Sequence, residues 1–285
     1  MEWAQVTYED VASMVEEAVC IIPIGSLEPH AWHLPTGNDA LIAHRWATMA
    51  AEREPVMVLP PLFYAYAKPG RHLPGTISLE TEVLLAFLEN VCDEVARNGF
   101  VKIILVNGHG GNTAILDVFR QHLSDRRKDY AVYFPPIFLM EDIIQEIKET
   151  SDWGHACEIE TSLSLYLLPE LCKMDRLPEG YFSSRKDFDI GPAKTSMDWV
   201  ASYPETYIGD AHKASAEKGR RMTEVQVERL VEMIRKIKKD QKVLTKVREY
   251  GEKAGRPAGR CVGANSKCEV QSAKCKVRKQ RSSRR

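Results

Sequence analysis

The amino-acid sequence predicts an α/β fold with a parallel central sheet, and three observations support this prediction. Short apolar runs, typical of strands that are buried on both faces, occur at residues 19–24, 56–59 and 101–106, and a fourth strand is predicted at 130–134. Segments with helical periodicity separate these runs. Polar segments rich in glycine and histidine follow the first three. Strands that alternate with helices form βαβ units with right-handed crossovers.

Helical periodicity indicates five helices along the chain. Residues 180–212 lack such periodicity and contain glycine, proline and aromatic residues, which is compatible with a lid or an oligomer contact. The last helix is strongly amphipathic. The five helices are predicted at residues 40–53, 80–98, 113–123, 158–168 and 214–247.

Length and charge indicate one folded domain with a basic extension. A chain of 285 residues with 44% hydrophobic residues can bury one substantial core, which we assign to residues 1–250. Residues 251–285 hold 11 Lys or Arg but only two Glu, so we expect a basic, disordered tail. The remaining body carries 28 basic and 38 acidic side chains, which excludes a broad nucleic-acid-binding surface on it.

The apolar and cysteine content indicates where the protein works. The longest apolar runs are too short to cross a bilayer, and no secretory signal opens the chain, so we expect no membrane partner. The seven cysteines include no CxxC pair, which argues against a zinc ribbon or a disulfide framework. We therefore expect a cytoplasmic protein with reduced thiols.

The loop after the first strand carries a dense set of metal-binding side chains. Its sequence is GSLEPHAWHLPTGND at residues 25–39. Nitrogen and oxygen ligands of this kind bind zinc, manganese or iron(II). Glu28 and His30 can turn toward one point, and Asp39 can bridge two metals or close the shell of one. Asp39 can equally be a helix N-cap, and His33 can be a hydrogen-bonded structural histidine.

Two further segments add candidate residues. The third strand ends in NGHGGN at residues 107–112, where flanking glycines let the backbone at His109 approach a ligand; the pattern fits neither a dinucleotide fingerprint nor a Walker loop. The second segment, HACEIETS at residues 155–162, opens a helix. Glu158 and Glu160 lie two residues apart and cannot share a helix face, so one faces the site while the other caps the helix or faces solvent.

These motifs resemble the creatinine amidohydrolase (creatininase) family. The resemblance rests on the spacing of Gly25-Ser26-x-Glu28-x-His30-x-x-His33-Leu34-Pro35 with Asp39, on NGHGGN, on HACEIETS, and on Pro74-Gly75-Thr76. It covers about residues 15–240 and not the tail. It implies a three-layer α/β/α sandwich with a mostly parallel central sheet and one or two divalent ions, zinc, iron(II) or manganese.

The resemblance also implies roles for individual residues. Glu28 and His109 would bind one metal, His30 the other, and Asp39 would bridge them. His155 matches the family's acid/base histidine, and Glu160 matches a carboxylate beside the metals, with a catalytic or ligating role. The residues expected to contact the substrate are His33, His72, Gly110 and Trp153.

One departure from the family pattern bears on the substrate. Creatininase proper has a ligating glutamate where this chain has Gly111, so either Glu160 takes over or the second metal binds weakly. The chain therefore resembles more closely the branch with the formamidopyrimidine-type deformylase of flavin and deazaflavin biosynthesis and the mycofactocin precursor peptidase. We expect a homo-oligomeric amidohydrolase that cleaves an amide or formamide of a small molecule. The alternatives are a creatininase-type cyclic amidase, a small-peptide peptidase and a non-catalytic metal-containing binding protein.

Overall fold

A four-stranded parallel sheet lies at the centre of the molecule. The computed structural model describes residues 1–15, 19–124, 126–180 and 182–254. The strands are paired in the order β2-β1-β3-β4, so the chain runs outward to one edge, crosses back over β1 and continues to the other edge. They are β1 (Val19–Ile24), β2 (Met57–Val58), β3 (Lys102–Asn107) and β4 (Ala131–Tyr133). All four predicted strands are therefore present.

The helices follow the predicted alternation. Short 3-10 helices occur at Trp3–Gln5, Lys68–Gly70, Pro169–Leu171, Met174–Arg176 and Ala211–Lys213. The α-helices of the described residues are α1 (Tyr8–Ser13), α2 (Asn38–Arg53), α3 (Thr81–Arg97), α4 (Asn112–Ser124), α5 (Glu141–Ile147), α6 (Glu158–Leu167), α7 (Asp198–Ser202), α8 (Ala216–Lys239) and α9 (Lys242–Ala254).

The predicted helix at 214–247 is in fact two helices, α8 and α9. Asp240 has an extended backbone, and its carboxylate accepts hydrogen bonds from the backbone N–H groups of Lys242 and Val243. An aspartate in this arrangement caps the start of a new helix. The second helix ends at Ala254, and residues 255–285, most of the predicted tail, lie outside the described residues.

Two hydrophobic clusters, one on each face of the sheet, confirm the three-layer α/β/α sandwich. Successive side chains of a strand point to opposite faces. Ile21 and Ile104 pack against residues of α2, α6 and α8, whereas the adjacent Ile22 and Ile103 pack against residues of α3 and α4. Both faces of the sheet are therefore covered by helices. No helix of the described segments is long and apolar enough to span a bilayer.

Two glycines bring the start of α2 against the ends of β1 and β3. A Cβ atom on Gly25 would lie 2.1 Å from the backbone nitrogen of Ala40, and one on Gly108 would lie 2.2 Å from the carbonyl oxygen of Asp39. Any larger residue would push α2 away from the sheet. Asp39 is therefore held between the carboxyl ends of two adjacent strands, where the crevice of such a sheet binds ligands.

Candidate metal centre

Four buried side chains meet at the carboxyl ends of β1 and β3. The loop after β1 supplies Glu28 and His30, the first turn of α2 supplies Asp39, and the turn after β3 supplies His109; all four are at most 5% exposed. His109 Nδ1 lies 2.9 Å from Glu28 Oε1 and 2.8 Å from Asp39 Oδ2. His30 Nε2 lies 2.8 Å from Asp39 Oδ1. The structure thus brings together the predicted ligands from three chain segments.

Main-chain carbonyl groups determine which ring nitrogen of each histidine carries the proton. His109 Nε2 lies 2.8 Å from the carbonyl oxygen of Tyr66, and His30 Nδ1 lies 3.2 Å from that of Glu28. A carbonyl only accepts hydrogen bonds, so these outer nitrogens must donate. In the neutral rings, the other nitrogens, His109 Nδ1 and His30 Nε2, then direct lone pairs at the carboxylates. Lone pairs converge in this way when a cation lies between them.

The charge balance of the site supports the same interpretation. Burial lowers the pKa of His30, but the carboxylates of Asp39, Glu160 and Glu28 together outweigh burial and raise that pKa to about 10. Burial also opposes the charged form of His109, yet Glu28 and Asp39 raise its pKa above the ordinary value. The pKa of Asp39 is lowered despite burial, because both imidazoles favour its charged form. Positive charge between these groups is therefore favourable, whether a proton or a metal supplies it.

The donor set fits one or two divalent cations. Glu28, Asp39 and His109 form one group whose ligand atoms lie within 4.8 Å of one another, and His30, Asp39 and Glu160 form another. Asp39 belongs to both groups, as a bridging ligand would. Glu28 Oε1 is buried and, although His109 Nδ1 lies 2.9 Å away, it makes no hydrogen bond among the described residues, whereas a buried carboxylate oxygen normally makes one. A metal ion would satisfy this oxygen.

His155 and Glu160 lie beside this ligand set. The rings of His155 and His30 have centroids 4.2 Å apart, and His155 Nδ1 is 3.9 Å from Glu28 Oε1. Its Nε2 lies 2.9 Å from the carbonyl oxygen of Pro29, so it donates there and leaves Nδ1 as the lone-pair nitrogen. Glu160 Oε2 accepts a 2.6 Å hydrogen bond from the N–H of Ala156 and lies 3.9 Å from His30 Nε2.

Glu158, the other candidate carboxylate, points away from the metal centre. It is fully buried and accepts hydrogen bonds from the N–H groups of Glu149 and Thr150 and from the Thr150 hydroxyl. Lys218 Nζ lies 2.5 Å from its other oxygen. Glu158 therefore joins α6 to α8 and to the 149–150 turn, while Glu160 faces the site.

A cavity of about 400 Å³ opens onto the metal-binding side chains. Gly110 lines it, as do Glu28, His109, His155 and Glu160. Ile137 and Phe138 in its walls were not predicted from the sequence, because they lie in a segment without a recognisable motif, whereas Trp199 and Ile208 come from the 180–212 segment that was expected to be compatible with a lid. Trp199 contacts His155 edge-on with a centroid distance of 5.8 Å. The remaining lining residues are Tyr66, Pro69, Gly108, Gly111, Ile137, Phe138, Gly154 and Ile208.

Three of the four residues expected to contact the substrate lie outside this lining. His33 is buried, and its Nε2 is 2.8 Å from the hydroxyl of Thr161. His72 is exposed, with Nε2 2.6 Å from the carbonyl oxygen of Pro204. Trp153 packs against Phe138 at the edge of the core. Their assignment to substrate binding remains a prediction, and Gly110 is the one of the four that borders the cavity.

This arrangement of ligands on a three-layer fold has known relatives. A family model described as creatinine amidohydrolase matches residues 4–234. The chain belongs to the creatinine amidohydrolase (creatininase) family. It is therefore an amidohydrolase, an enzyme of a family that hydrolyses carbon–nitrogen bonds. The creatinine amidohydrolase of Pseudomonas putida is 30% identical over 254 residues, covering 81% of this chain and 95% of that protein.

Other members of the family differ in their substrates. The 3-dehydro-scyllo-inosose hydrolase of Thermotoga maritima is 29% identical over 250 residues, 76% of each chain. The mycofactocin precursor peptide peptidase of Mycolicibacterium smegmatis is 30% identical, covering 76% of this chain and 83% of that one. A formylaminopyrimidine monophosphate deformylase of Methanococcus maripaludis is 32% identical over 34% of this chain and 43% of its own length. The branch indicated by the motifs is thus represented among the relatives.

Solved creatininase structures support the metal assignment. A creatininase variant of the Zn-Zn type has a TM-score of 0.71 at 27% identity, covering 84% of this chain and 98% of that one. A manganese creatininase has a TM-score of 0.70 at 26% identity, covering 84% and 99%. Those proteins contain zinc or manganese, and the residues of the present site fit the same class of ion.

Gly111 lies where the family pattern predicts a ligating glutamate. A Cβ atom at this position would be 2.4 Å from His109 Nε2 and 3.1 Å from the carbonyl oxygen of Tyr66. A side chain at Gly111 therefore requires a different position of the His109 ring. Within the described segments, Glu160 supplies the second carboxylate of the ligand group that contains His30 and Asp39.

We predict that Glu158→Gln lowers the free energy of unfolding by about 2 kcal/mol, because it removes the buried carboxylate that pairs with Lys218 and leaves that ammonium group with the exposed Glu149 as its counter-ion. Burial raises the pKa of Glu158, but its hydrogen bonds, led by Lys218, lower it below the ordinary value. The stability that ionised Glu158 contributes is complete above the ordinary Glu pKa of about 4.3. It is lost as the pH falls through the lower pKa of Glu158 in the folded state.

Urea unfolding at several pH values tests this prediction. The difference between the two proteins should be full at neutral pH and shrink below about pH 4. The control is Glu146→Gln, which removes an exposed partner of Arg221 and should cost less than about 1 kcal/mol. Metal content should not change in either variant. Loss of metal in Glu158→Gln would contradict the assignment of Glu158 to a structural role.

Proposed function

We propose that this enzyme hydrolyses an amide or formamide bond of a small uncharged or cationic molecule in a divalent-metal-dependent reaction. The observation that carries the proposal is the convergence of histidine lone pairs and carboxylates at the base of the cavity. Glu28, Asp39 and His109 would hold one ion, and His30, Asp39 and Glu160 a second. A bound divalent cation polarises a carbonyl group and makes water a better nucleophile.

We assign the proton transfer of the reaction to His155. Its Nε2 is held by the carbonyl of Pro29, so its Nδ1 carries the lone pair; this nitrogen lies 3.9 Å from Glu28 Oε1, and His155 lines the cavity. In this proposal His155 accepts the proton that the attacking water releases. It then delivers that proton to the leaving nitrogen as the C–N bond breaks. Trp199 packs edge-on against the same ring and shields it from solvent.

The cavity walls restrict the substrate. The walls beyond the metal-binding side chains include Ile137, Phe138, Trp199 and Ile208, and none of the described residues that line the cavity is Lys or Arg. A phosphate placed against these walls would lose its hydration without gaining a cationic partner, which is unfavourable. The lining therefore supports an unphosphorylated substrate over the monophosphate that the deformylase relative is named for.

The cellular setting and assembly state are also part of this proposal. Cys20, Cys92, Cys157 and Cys172 are free thiols, which supports a reducing, cytoplasmic setting. The homo-oligomer expected from the sequence is part of the proposal, and exposed apolar side chains such as Trp32, Ile77 and Met197 are candidates for the subunit contact.

We predict hydrolysis of uncharged amides by the metal-loaded enzyme and little activity on phosphorylated ones. The test measures amine release from a panel containing a five-membered cyclic amide, an N-formyl arylamine, a short peptide, and the N-formyl arylamine bearing a phosphate group. The uncharged formamide should exceed its phosphorylated counterpart at least about tenfold in kcat/KM, a difference of about 1.4 kcal/mol.

The members of the panel separate the alternatives. Preference for the cyclic amide indicates a creatininase-type cyclic amidase, and preference for the peptide indicates a peptidase. Faster cleavage of the phosphorylated formamide would contradict the substrate class proposed here. No hydrolysis of any member by protein with bound metal would overturn the proposed function and favour a binding role.

We predict that His155→Ala retains bound metal but loses about a hundred- to ten-thousand-fold in kcat, because the proton-transfer group is absent. Metal content per chain and steady-state kinetics on the best amide of the panel check this result. His122→Ala is the matched control, since His122 pairs with Glu89 outside the site. A normal kcat in His155→Ala would remove His155 from the reaction, and loss of metal would make it a ligand.

A further inference from the structure

Asn112, the first residue of α4, makes three side-chain hydrogen bonds in a fully buried position. Its Nδ2 donates to the carbonyl oxygen of Gly25 at 2.9 Å and to Asn107 Oδ1 at 3.2 Å. Its Oδ1 accepts a 3.2 Å hydrogen bond from the N–H of Tyr66. One amide group therefore connects the ends of β1 and β3 to the loop that follows β2.

Tyr66 links this network to the metal centre. Its N–H donates a hydrogen bond to Asn112, while its carbonyl oxygen accepts a 2.8 Å hydrogen bond from His109 Nε2. The position of the Tyr66 backbone thus determines how the His109 ring is rotated. A ring nitrogen that donates to a fixed acceptor holds the opposite nitrogen, here Nδ1, toward the metal position.

The backbone of His109 is held by the same network. Asn107 Oδ1 accepts the N–H of His109 at 3.1 Å, and Asn107 Nδ2 donates to the carbonyl oxygen of His109 at 2.8 Å. Because Asn112 donates to that same Asn107 oxygen, both asparagines are held in one orientation. The backbone and the ring of His109 are therefore fixed from two sides, by Asn107 and by Tyr66.

We infer that Asn112 is the positioning residue of the metal centre, acting through Tyr66 and Asn107 on His109. Asn112 is not itself a ligand, because all of its polar atoms are occupied by protein partners. Its role is to hold the Tyr66 carbonyl where it fixes the tautomer and rotation of His109. This inference rests on the metal centre of the proposed function, but not on amide hydrolysis.

The experiment measures zinc affinity of the full-length protein by competition with a chromogenic chelator. Asn112→Ala should weaken zinc binding about 10- to 100-fold, as expected for loss of a group that orients a ligand. Asn112→Asp, which keeps the size of the side chain, should also weaken binding. A carboxylate cannot donate to Gly25 and Asn107, so its orientation is lost although its negative charge alone would favour a cation. Asn90→Asp, on the exposed face of α3, is the matched control and should not change the affinity.

A double-mutant cycle distinguishes positioning from a general effect on stability. In a His109→Ala background, Asn112→Asp should cause little further loss of zinc affinity, because the two residues act along one path. Additive losses would overturn the inference, as would a zinc affinity of Asn112→Asp equal to or higher than that of wild type. Thermal unfolding of the metal-free proteins identifies variants that are not folded, and the cycle is evaluated only at temperatures where all four are folded. Failure of amide hydrolysis would leave these affinity results unaffected.

Discussion

The geometry of the site depends on bringing the lone pairs of histidine nitrogens and carboxylate oxygens close together. These lone pairs would repel one another without a cation between them. The carbonyl oxygens of Tyr66 and Glu28 accept hydrogen bonds from His109 Nε2 and His30 Nδ1. The other ring nitrogens, His109 Nδ1 and His30 Nε2, therefore face carboxylates at 2.8–2.9 Å. Glu28, Asp39 and both histidines are almost completely buried. Such a group is stable only with positive charge at its centre. The parallel sheet makes this geometry possible because the carboxyl ends of its strands lie at one edge, where three loops can meet.

Much of this arrangement could be predicted from the sequence because it depends on local patterns. Apolar runs of strand length located β1 to β4, and the loops after parallel strands necessarily share one edge of the sheet. The helix predicted at 214–247 was wrong in its continuity, because apolar periodicity continues through the break. The signal for the break was Asp240, whose carboxylate caps α9.

The parts that could not be predicted depend on tertiary contacts between distant segments. Sequence spacing excluded a shared helix face for Glu158 and Glu160, but only the packing of α8 shows that Glu158 faces Lys218. The cavity wall at Ile137 and Phe138 comes from the segment between β4 and α5, which has no recognisable motif. The partners of His33 and His72, Thr161 and Pro204, lie more than 120 residues away along the chain. Histidine density identified the region, while tertiary packing determines which rings border the cavity.

The most direct test of the account is the metal content per chain of protein purified without added metal, for wild type, Glu28→Ala and His109→Ala, with His122→Ala as a control outside the site. The account predicts one or two divalent ions in wild type and in the control, and a marked loss in both site variants. A wild-type protein that holds no metal and takes up neither zinc, manganese nor iron(II) would contradict it.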